Sequence, residues 1–483
     1  MIIIIKNHPY EYDVENISEI FFPYEKIKVV EGDCDDTDPV TVITEIDGNE
    51  LIIEASVYDR HKRLTQTADE KTDRQNALSV LLYNTLSEIL DIKYPWGLLY
   101  GVRPARRMHA LTDNFSENEA KRIFKEKYLV NDAKTNLTAS VMHSENKIIS
   151  LSKDNSFSLY VSIPFCPSRC SYCSFVSHSI ENTKKLVEPY VELLIKEIED
   201  TGRYAKELGL RLESVYFGGG TPTTLSANHL EAIFQAIERT FDLSTNREYT
   251  VEAGRPDTVT EEKLLALKAA GVSRISINPQ TFNDEVLKLI GRRHSAEETL
   301  KAYDLAVKCG FDNINMDFIT GLPGDSLESF KSSISKGIAL GAKSITVHTL
   351  SLKSGAYMAT RENAFDSSPK HLVADMVDFS NKALSESGYH PYYMYRQGKS
   401  LGNLENVGWC KEGYDCLYNV FMMDETHTVL AVGAGAVIKL KDPKSGKIQR
   451  IYNYKYPYEY IDRFDEILRR KHSIKAFYDE YNL

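Results

Sequence analysis

Nowhere does this 483-residue chain run apolar for the length of a membrane span, and its basic residues are outnumbered by its acidic ones. The first absence excludes a spanning helix, which needs about 20 consecutive apolar residues. The second leaves a net charge of −11, which argues against a nucleic-acid surface spread over the whole molecule but not against a local basic pocket. Cysteines in the even scatter of a secreted disulfide frame are also lacking: there are seven, and three fall together. That usage suits a cytosolic metal site. The opening stretch MIIIIK is too short for a signal segment and is expected to form a first β-strand. The expected class is a soluble cytoplasmic protein of two to four domains, with no membrane and no nucleic-acid partner.

What is present centres on residues 157–173, FSLYVSIPFCPSRCSYC. A β-prone run ends at Pro164, and Cys166, Cys170 and Cys173 follow on a loop in C-x3-C-x2-C spacing. Three thiolates so close can wrap one metal centre and leave one position of a cubic iron–sulfur cluster without a protein ligand. Zinc with His178 as fourth ligand, a ferredoxin-like cluster that would need a fourth cysteine, and three unrelated buried cysteines compete with this reading.

Residues 1–150 are expected as an α+β domain: strands at 2–5 and 27–30, a hairpin through Asp47-Gly48, and a helix over 77–92. Arg103, Arg106 and Arg107 fit a carboxylate or phosphate pocket, or a solvated helix start after Pro104, and the second is favoured. The polar stretch 145–155 is expected as a linker. Strands then alternate with helices, which predicts parallel pairing: strands at 158–163, 214–217, 249–252, 274–277, 313–318 and 344–349, the longest helix at 184–208. Six β-α units are fewer than the eight of a closed barrel, so residues 151–365 are expected as an α/β, partial (β/α)6 TIM-like barrel. Residues 366–483 are expected as a mainly helical C-terminal cap. Its aromatic stretch 389–396, YHPYYMYR, suits either a cover stacked on a flat ligand or an ordinary strand. Cys410 and Cys416 have no companions in metal-site spacing and, like Cys34 and Cys309, are expected to be structural.

The unusual residues follow strand ends. The cysteines follow the first strand and Gly218-Gly219-Gly220-Thr221-Pro222 the second. Glu252 with Arg255 closes the third, Asn278-Pro279-Gln280 the fourth, and Asp317 with Gly321-Leu-Pro-Gly324 the fifth. One triple glycine is a weak signal. Five signals at the carboxyl ends of barrel strands, where loops converge, mark an active site.

These residues resemble the radical S-adenosylmethionine (SAM) enzymes, and more narrowly the oxygen-independent coproporphyrinogen III dehydrogenases. The long N-terminal region, Gly101-Val-Arg-Pro104 and Asn403-Leu-Glu-Asn-Val-Gly408 are most similar to the HemZ-type branch. The resemblance covers roughly residues 156–351 and extends loosely through Ala431-Val-Gly433-Ala-Gly435-Ala436. It implies a 4Fe–4S cluster on Cys166, Cys170 and Cys173, with SAM chelating the fourth iron. It implies SAM contacts from Tyr160, Tyr172, Gly219, Gly220, Thr221, Glu252, Gln280, Arg292 and Asp317. In coproporphyrinogen dehydrogenases a second SAM shares the site. The implied chemistry is one-electron cleavage of SAM to methionine and a 5′-deoxyadenosyl radical, which takes hydrogen from a propionate β-carbon; loss of CO2 and one electron leaves a vinyl group. The substrate would be coproporphyrinogen III, with Arg255 and Arg293 as candidate grips on its carboxylates, and a donor such as flavodoxin or ferredoxin would supply the electron. Rival readings are a HemW-like haem chaperone and a radical SAM methyltransferase that opens the haem ring. The chain departs from its better-known relatives at Ser162, where they have histidine. It also departs at Ser174-Phe175, which lacks a further cysteine. Where haem chaperones carry histidines it has Glu405, before Asn406, and Val437.

Overall fold

A computed structural model describes residues 1–34, 36–101, 103–175, 178–351 and 371–481. The chain divides into two compact units, Met1–Met142 with Tyr395–Glu405, and His143–Met394 with Asn406–Leu483.

The first unit is built on a five-stranded sheet: β1 (Ile2–Lys6), β2 (Lys28–Glu31), β3 (Val40–Asp47), β4 (Glu50–Val57) and β5 (Arg60–Thr67), in the order β2-β1-β3-β4-β5. β1 is parallel to both neighbours, and β3–β4–β5 run antiparallel. Gly48, at φ +57°, supplies the left-handed turn residue expected between β3 and β4. Ile3, Ile5, Val42, Leu51, Ile53 and Ala55 form the core with α1 (Glu11–Phe21) and α2 (Arg74–Leu90). β5 was not foreseen: RHKRLTQT has Leu64 as its one apolar residue, and a charged outer strand of this kind carries no hydrophobic alternation. The unit continues through α3 (Pro104–Thr112) and α4 (Glu117–Glu126). The expected linker is corrected by α5 (Asp132–Ile149), which runs into residues 145–155 with Glu145 buried, because helical packing outweighs the stretch's polar composition.

In the second unit every expected barrel strand forms: β6 (Ser156–Ile163), β9 (Arg211–Gly219), β10 (Glu248–Glu252), β11 (Arg274–Ser276), β12 (Ile314–Thr320) and β13 (Ser344–Thr349). They pair in parallel in chain order, with α6 (Ile180–Glu207), α7 (Ala227–Thr240), α8 (Glu261–Ala269), α9 (Asp284–Leu289), α10 (Ala296–Lys308) and α11 (Leu327–Ala339) between them. A two-residue pair, β7 (Phe165–Cys166) with β8 (His178–Ser179), closes the cysteine loop. The expected boundary between residues 365 and 366 lies outside the described residues.

The C-terminal region supplies helices α12 (Leu372–Glu386), α13 (Leu417–Asp424), α14 (Pro457–Asp462) and α15 (Phe464–Tyr481). It also supplies five strands that extend the barrel sheet at both edges. β14 (His390–Arg396) and β15 (Glu405–Cys410) lie beyond β13, with β15 antiparallel to it. β16 (Thr428–Val432) pairs in parallel with β6, followed by antiparallel β17 (Val437–Lys441) and β18 (Ile448–Tyr452). The aromatic stretch 389–396 is therefore a strand, with Tyr392 and Tyr393 buried in packing.

Candidate active site

The cysteine loop starts where Pro164 ends β6, and it is tied down on several sides. His178 N–H donates to the Pro164 carbonyl at 2.9 Å, Ser171 N–H to that of Ile290 at 3.0 Å, and Ser168 Oγ to that of Gly291 at 3.3 Å. The triple glycine seats the end of β9 against the base of this loop. Gly220 N–H donates to Ile163 O at 2.7 Å and Thr221 N–H to Phe165 O at 2.8 Å. A Cβ on Gly220 would stand 2.6 Å from Phe165 O, a distance no side chain tolerates. Thr221 Oγ1 lies 3.5 Å from Cys166 Sγ. Burial and the neighbouring Cys170 push the Cys173 thiol up to about 11, so Cys173 keeps its proton when no metal is bound.

Two buried guanidiniums face this loop. Arg255 is held bidentately by Asp257, both contacts 3.0 Å, and its Nη1 lies 3.8 Å from Cys170 Sγ. Arg292 donates to Asn278 O at 2.7 Å and Tyr172 OH at 3.2 Å, while its Nε is buried without a partner. Among the described residues Arg292 makes no ion pair, so an anion placed beside it would relieve a buried, uncompensated cation. His294, buried behind both arginines, is held neutral by burial, with its pKa lowered to about 3. Arg293, by contrast, is exposed and paired with Glu181 at 2.6 Å.

At the ends of β9, β10, β12 and β13 a second polar group assembles. Tyr216 donates to Glu252 at 2.6 Å and packs 4.4 Å, ring to ring, on Tyr418 of α13; Tyr160 stacks on both. Burial, with Asp317 nearby, raises Glu252 to about 7 despite the Tyr216 hydrogen bond. Burial acts to raise Asp317 as well, but His348 at 3.8 Å, Asn315 at 2.7 Å and the charge of Arg274 outweigh it and hold Asp317 below the usual carboxylate range. Two neighbouring carboxylates thus have their pKa values pushed apart. Gln280 sits at φ +67°, clamped by N–H to Asp317 O at 2.9 Å and by Ile319 N–H to its own carbonyl at 3.1 Å. A non-glycine residue held in that conformation costs about 1–3 kcal/mol, a strain that concentrates at functional sites.

Ser162 donates to Ala434 O at 2.7 Å, which explains the C-terminal glycine motif. A Cβ on Gly433 would meet Ser162 O at 2.4 Å, so only glycine lets β16 close against β6 there. A buried network anchors the turn: Glu197 accepts from Gly433 N–H at 2.7 Å and Tyr460 OH at 2.6 Å, and pairs with Lys471 at 3.0 Å. Tyr216, His348, Asn315 and Tyr418 were not singled out from sequence. Their signal lies in position: Tyr216 and His348 stand near strand ends whose neighbours Gly218 and Asp317 were noticed.

Of the three N-terminal arginines, Arg103 and Arg107 line a cleft of about 410 Å³ in the first unit with Tyr128 and Lys127, and Arg106 is exposed beyond the Pro104 helix start.

Three clustered thiols beside a buried arginine with an orphaned N–H fit an anionic metal cluster and a carboxylate-bearing cofactor. Residues 160–336 match the Radical SAM superfamily. The oxygen-independent coproporphyrinogen-III oxidase-like protein HemZ of Bacillus subtilis (strain 168) is 38% identical over 401 residues, covering 82% of this chain and 80% of that protein. This chain belongs to that radical SAM family. Radical SAM proteins use a 4Fe–4S cluster and SAM, and so does this one. Its relatives also include the heme chaperone HemW of Haemophilus influenzae, 30% identical over 306 residues, covering 63% of this radical SAM chain and 75% of the chaperone. The solved structure titled "Coproporphyrinogen III oxidase (HemN) from Escherichia coli is a Radical SAM enzyme" superposes with a TM-score of 0.52 at 22% identity, over 67% of this chain and 72% of that one, a likeness of fold. No helix among the described residues is long and apolar enough to cross a membrane.

Proposed function

We propose that this radical SAM protein carries out the oxygen-independent oxidative decarboxylation of coproporphyrinogen III in the cytoplasm. Two propionates become vinyl groups, and protoporphyrinogen IX forms for haem biosynthesis with loss of two CO2 and four hydrogens. Cys166, Cys170 and Cys173 hold the cluster. Arg292, whose Nε lacks a partner, pairs with the SAM carboxylate, and Arg255 offsets negative charge at Cys170. Ionised Glu252 and Asp317 accept from ribose hydroxyls, and Tyr160, Tyr172, Gly219, Gly220, Thr221 and Gln280 complete the cofactor wall. The bound cofactor pair, reduced by flavodoxin or ferredoxin, supplies the radical that removes hydrogen; the protein's part is to position the propionate and keep oxygen and water away.

The observation that favours this reading over haem trafficking is Glu405. Where chaperones carry histidine, its carboxylate is fully buried, takes Lys134 Nζ at 2.7 Å and Trp96 Nε1 at 2.8 Å, and is spent on those partners. The test is an anaerobic assay of the reconstituted protein with coproporphyrinogen III. Protoporphyrinogen IX and 5′-deoxyadenosine in the product mixture support the proposal. SAM cleavage without decarboxylation, together with stoichiometric haem binding, replaces it with the chaperone reading; a methylated, ring-opened product replaces it with the methyltransferase.

A further inference from the structure

At the opposite end of the parallel strands from the cysteine loop, three side chains of different chemistry converge. Cys410 closes β15 and lies in register with Ser344, the first residue of β13, so it stands at the amino end of the barrel. His390 opens β14, and Asp415 lies in the turn between β15 and α13. The Asp415 carboxylate is 3.0 Å from His390 Nε2, and the Cys410 thiol is 3.4 Å from the same nitrogen. All three donor atoms lie within 4.8 Å of one another.

The shared nitrogen carries the argument. A catalytic triad would place base and orienting acid on opposite ring nitrogens. Here thiol and carboxylate both face Nε2, which has one proton or one lone pair to offer. Without a metal the Asp415 carboxylate is shared between two donors, the imidazole N–H and the Cys410 thiol. A divalent cation serves thiolate, imidazole and carboxylate at once. Zinc bonds of about 2.0–2.3 Å place tetrahedral donors about 3.3–3.8 Å apart, close to the spacing present. The other ring nitrogen, Nδ1, lies 3.8 Å from the exposed carboxylate of Glu412, an ion-pair distance and not a hydrogen bond. Cys416 is not part of the set, since its thiol is committed to Glu248 at 3.3 Å. Cys410 is buried, whereas His390 and Asp415 are partly exposed, so the fourth position opens to water.

We propose that His390, Cys410 and Asp415 form a second, mononuclear metal site that takes zinc. The site has an S/N/O donor set with one water, and it ties the 411–416 turn and the start of β14 to the barrel floor. Cys410 was expected from sequence to be a structural cysteine without companions; its companions are 20 residues earlier and across a turn, where linear spacing does not display them.

The test uses the full-length protein with its iron–sulfur cluster assembled, equilibrated with Zn²⁺ and dialysed. One zinc per chain should be retained in addition to iron, and zinc-edge X-ray absorption should show a single sulfur at about 2.3 Å. Cys410→Ser and His390→Gln should lose the zinc with iron content unchanged. Asp415→Asn, isosteric and partly exposed, gives a second route if the Cys410 variant folds poorly, and should also lose stoichiometric zinc. Two or three sulfurs around zinc would place the metal in the Cys166–Cys173 loop and overturn the proposal. So would zinc retention equal to wild type in His390→Gln or Asp415→Asn, or no retention by the wild type.

Discussion

Arg292 donates to the Tyr172 hydroxyl at 3.2 Å, linking the buried cation of one strand-end loop to the residue between the second and third cysteines. The pair couples the cluster loop to the place where an anionic cofactor group is needed. Arg292→Gln should therefore retain iron but weaken SAM binding, on the scale of about 1–3 kcal/mol for one buried polar partner. Equilibrium binding of SAM to the reconstituted variant checks it, and unchanged affinity would remove Arg292 from the cofactor wall.

Replacing any one of Cys166, Cys170 or Cys173 by alanine should abolish the 4Fe–4S cluster. Alanine at Cys34, Cys309, Cys410 or Cys416 should leave iron unaltered, because none of these four lies in the tied-down loop. Iron and sulfide content with electron paramagnetic resonance reads the outcome.

Glu252 gives a pH prediction with a definite sign. Its carboxyl is raised from 4.5 to about 7, so between those values the folded state binds a proton that the unfolded chain has released. Stability from this group is thus present at low pH and is lost as pH rises from 4.5 to about 7. Glu252→Gln should flatten that part of the profile, as read by urea midpoints of the metal-free protein. SAM affinity should rise with pH across the same range, since ionised Glu252 is the better hydrogen-bond acceptor. An identical pH profile in the Gln variant would show that another group titrates there.

The two arginines considered as substrate grips separate by environment. Arg293 shares an exposed pair with Glu181, and such pairs contribute little in water. Arg293→Ala should leave cluster assembly and turnover as in wild type. Arg255 is buried against Ser168 and Cys170 and locked to Asp257. Arg255→Ala should leave Asp257 without its partner and lower iron retention, measured after anaerobic gel filtration. Full retention would confine Arg255 to a loop contact.

The difference between these two residues shows where sequence stops being informative. Most barrel strands were legible because a short β-prone run ends at a glycine or polar residue, as at Phe217-Gly218 and Ile319-Thr320-Gly321, and the cysteine loop because its three donors lie within eight residues. Nothing local distinguishes Arg255 from Arg293, since burial is decided by which element packs above. β16 reaches β6 across more than 250 residues, and its partner is fixed by the close approach of Gly433 to Ser162, which needs a three-dimensional neighbour to be seen. His348 and the Cys410 cluster were missed for the same reason.

The last prediction concerns the first unit. Glu405 belongs to the segment Tyr395–Glu405, which packs with that unit, and Arg396 in the same segment lies over the Trp96 ring at 5.1 Å and donates to Leu99 O. Removing the N-terminal residues deletes Lys134 and Trp96, the ammonium and the indole N–H that hold the Glu405 carboxylate. Lys134→Met isolates that effect and should destabilise by about 3–5 kcal/mol, the scale for breaking a buried pair from one side. Lys134→Met/Glu405→Leu should recover most of the loss, because an apolar pair of similar volume removes the stranded charge. Denaturation midpoints of the three proteins decide it: if the single variant is as stable as wild type, the ion pair is not what holds the segment in place.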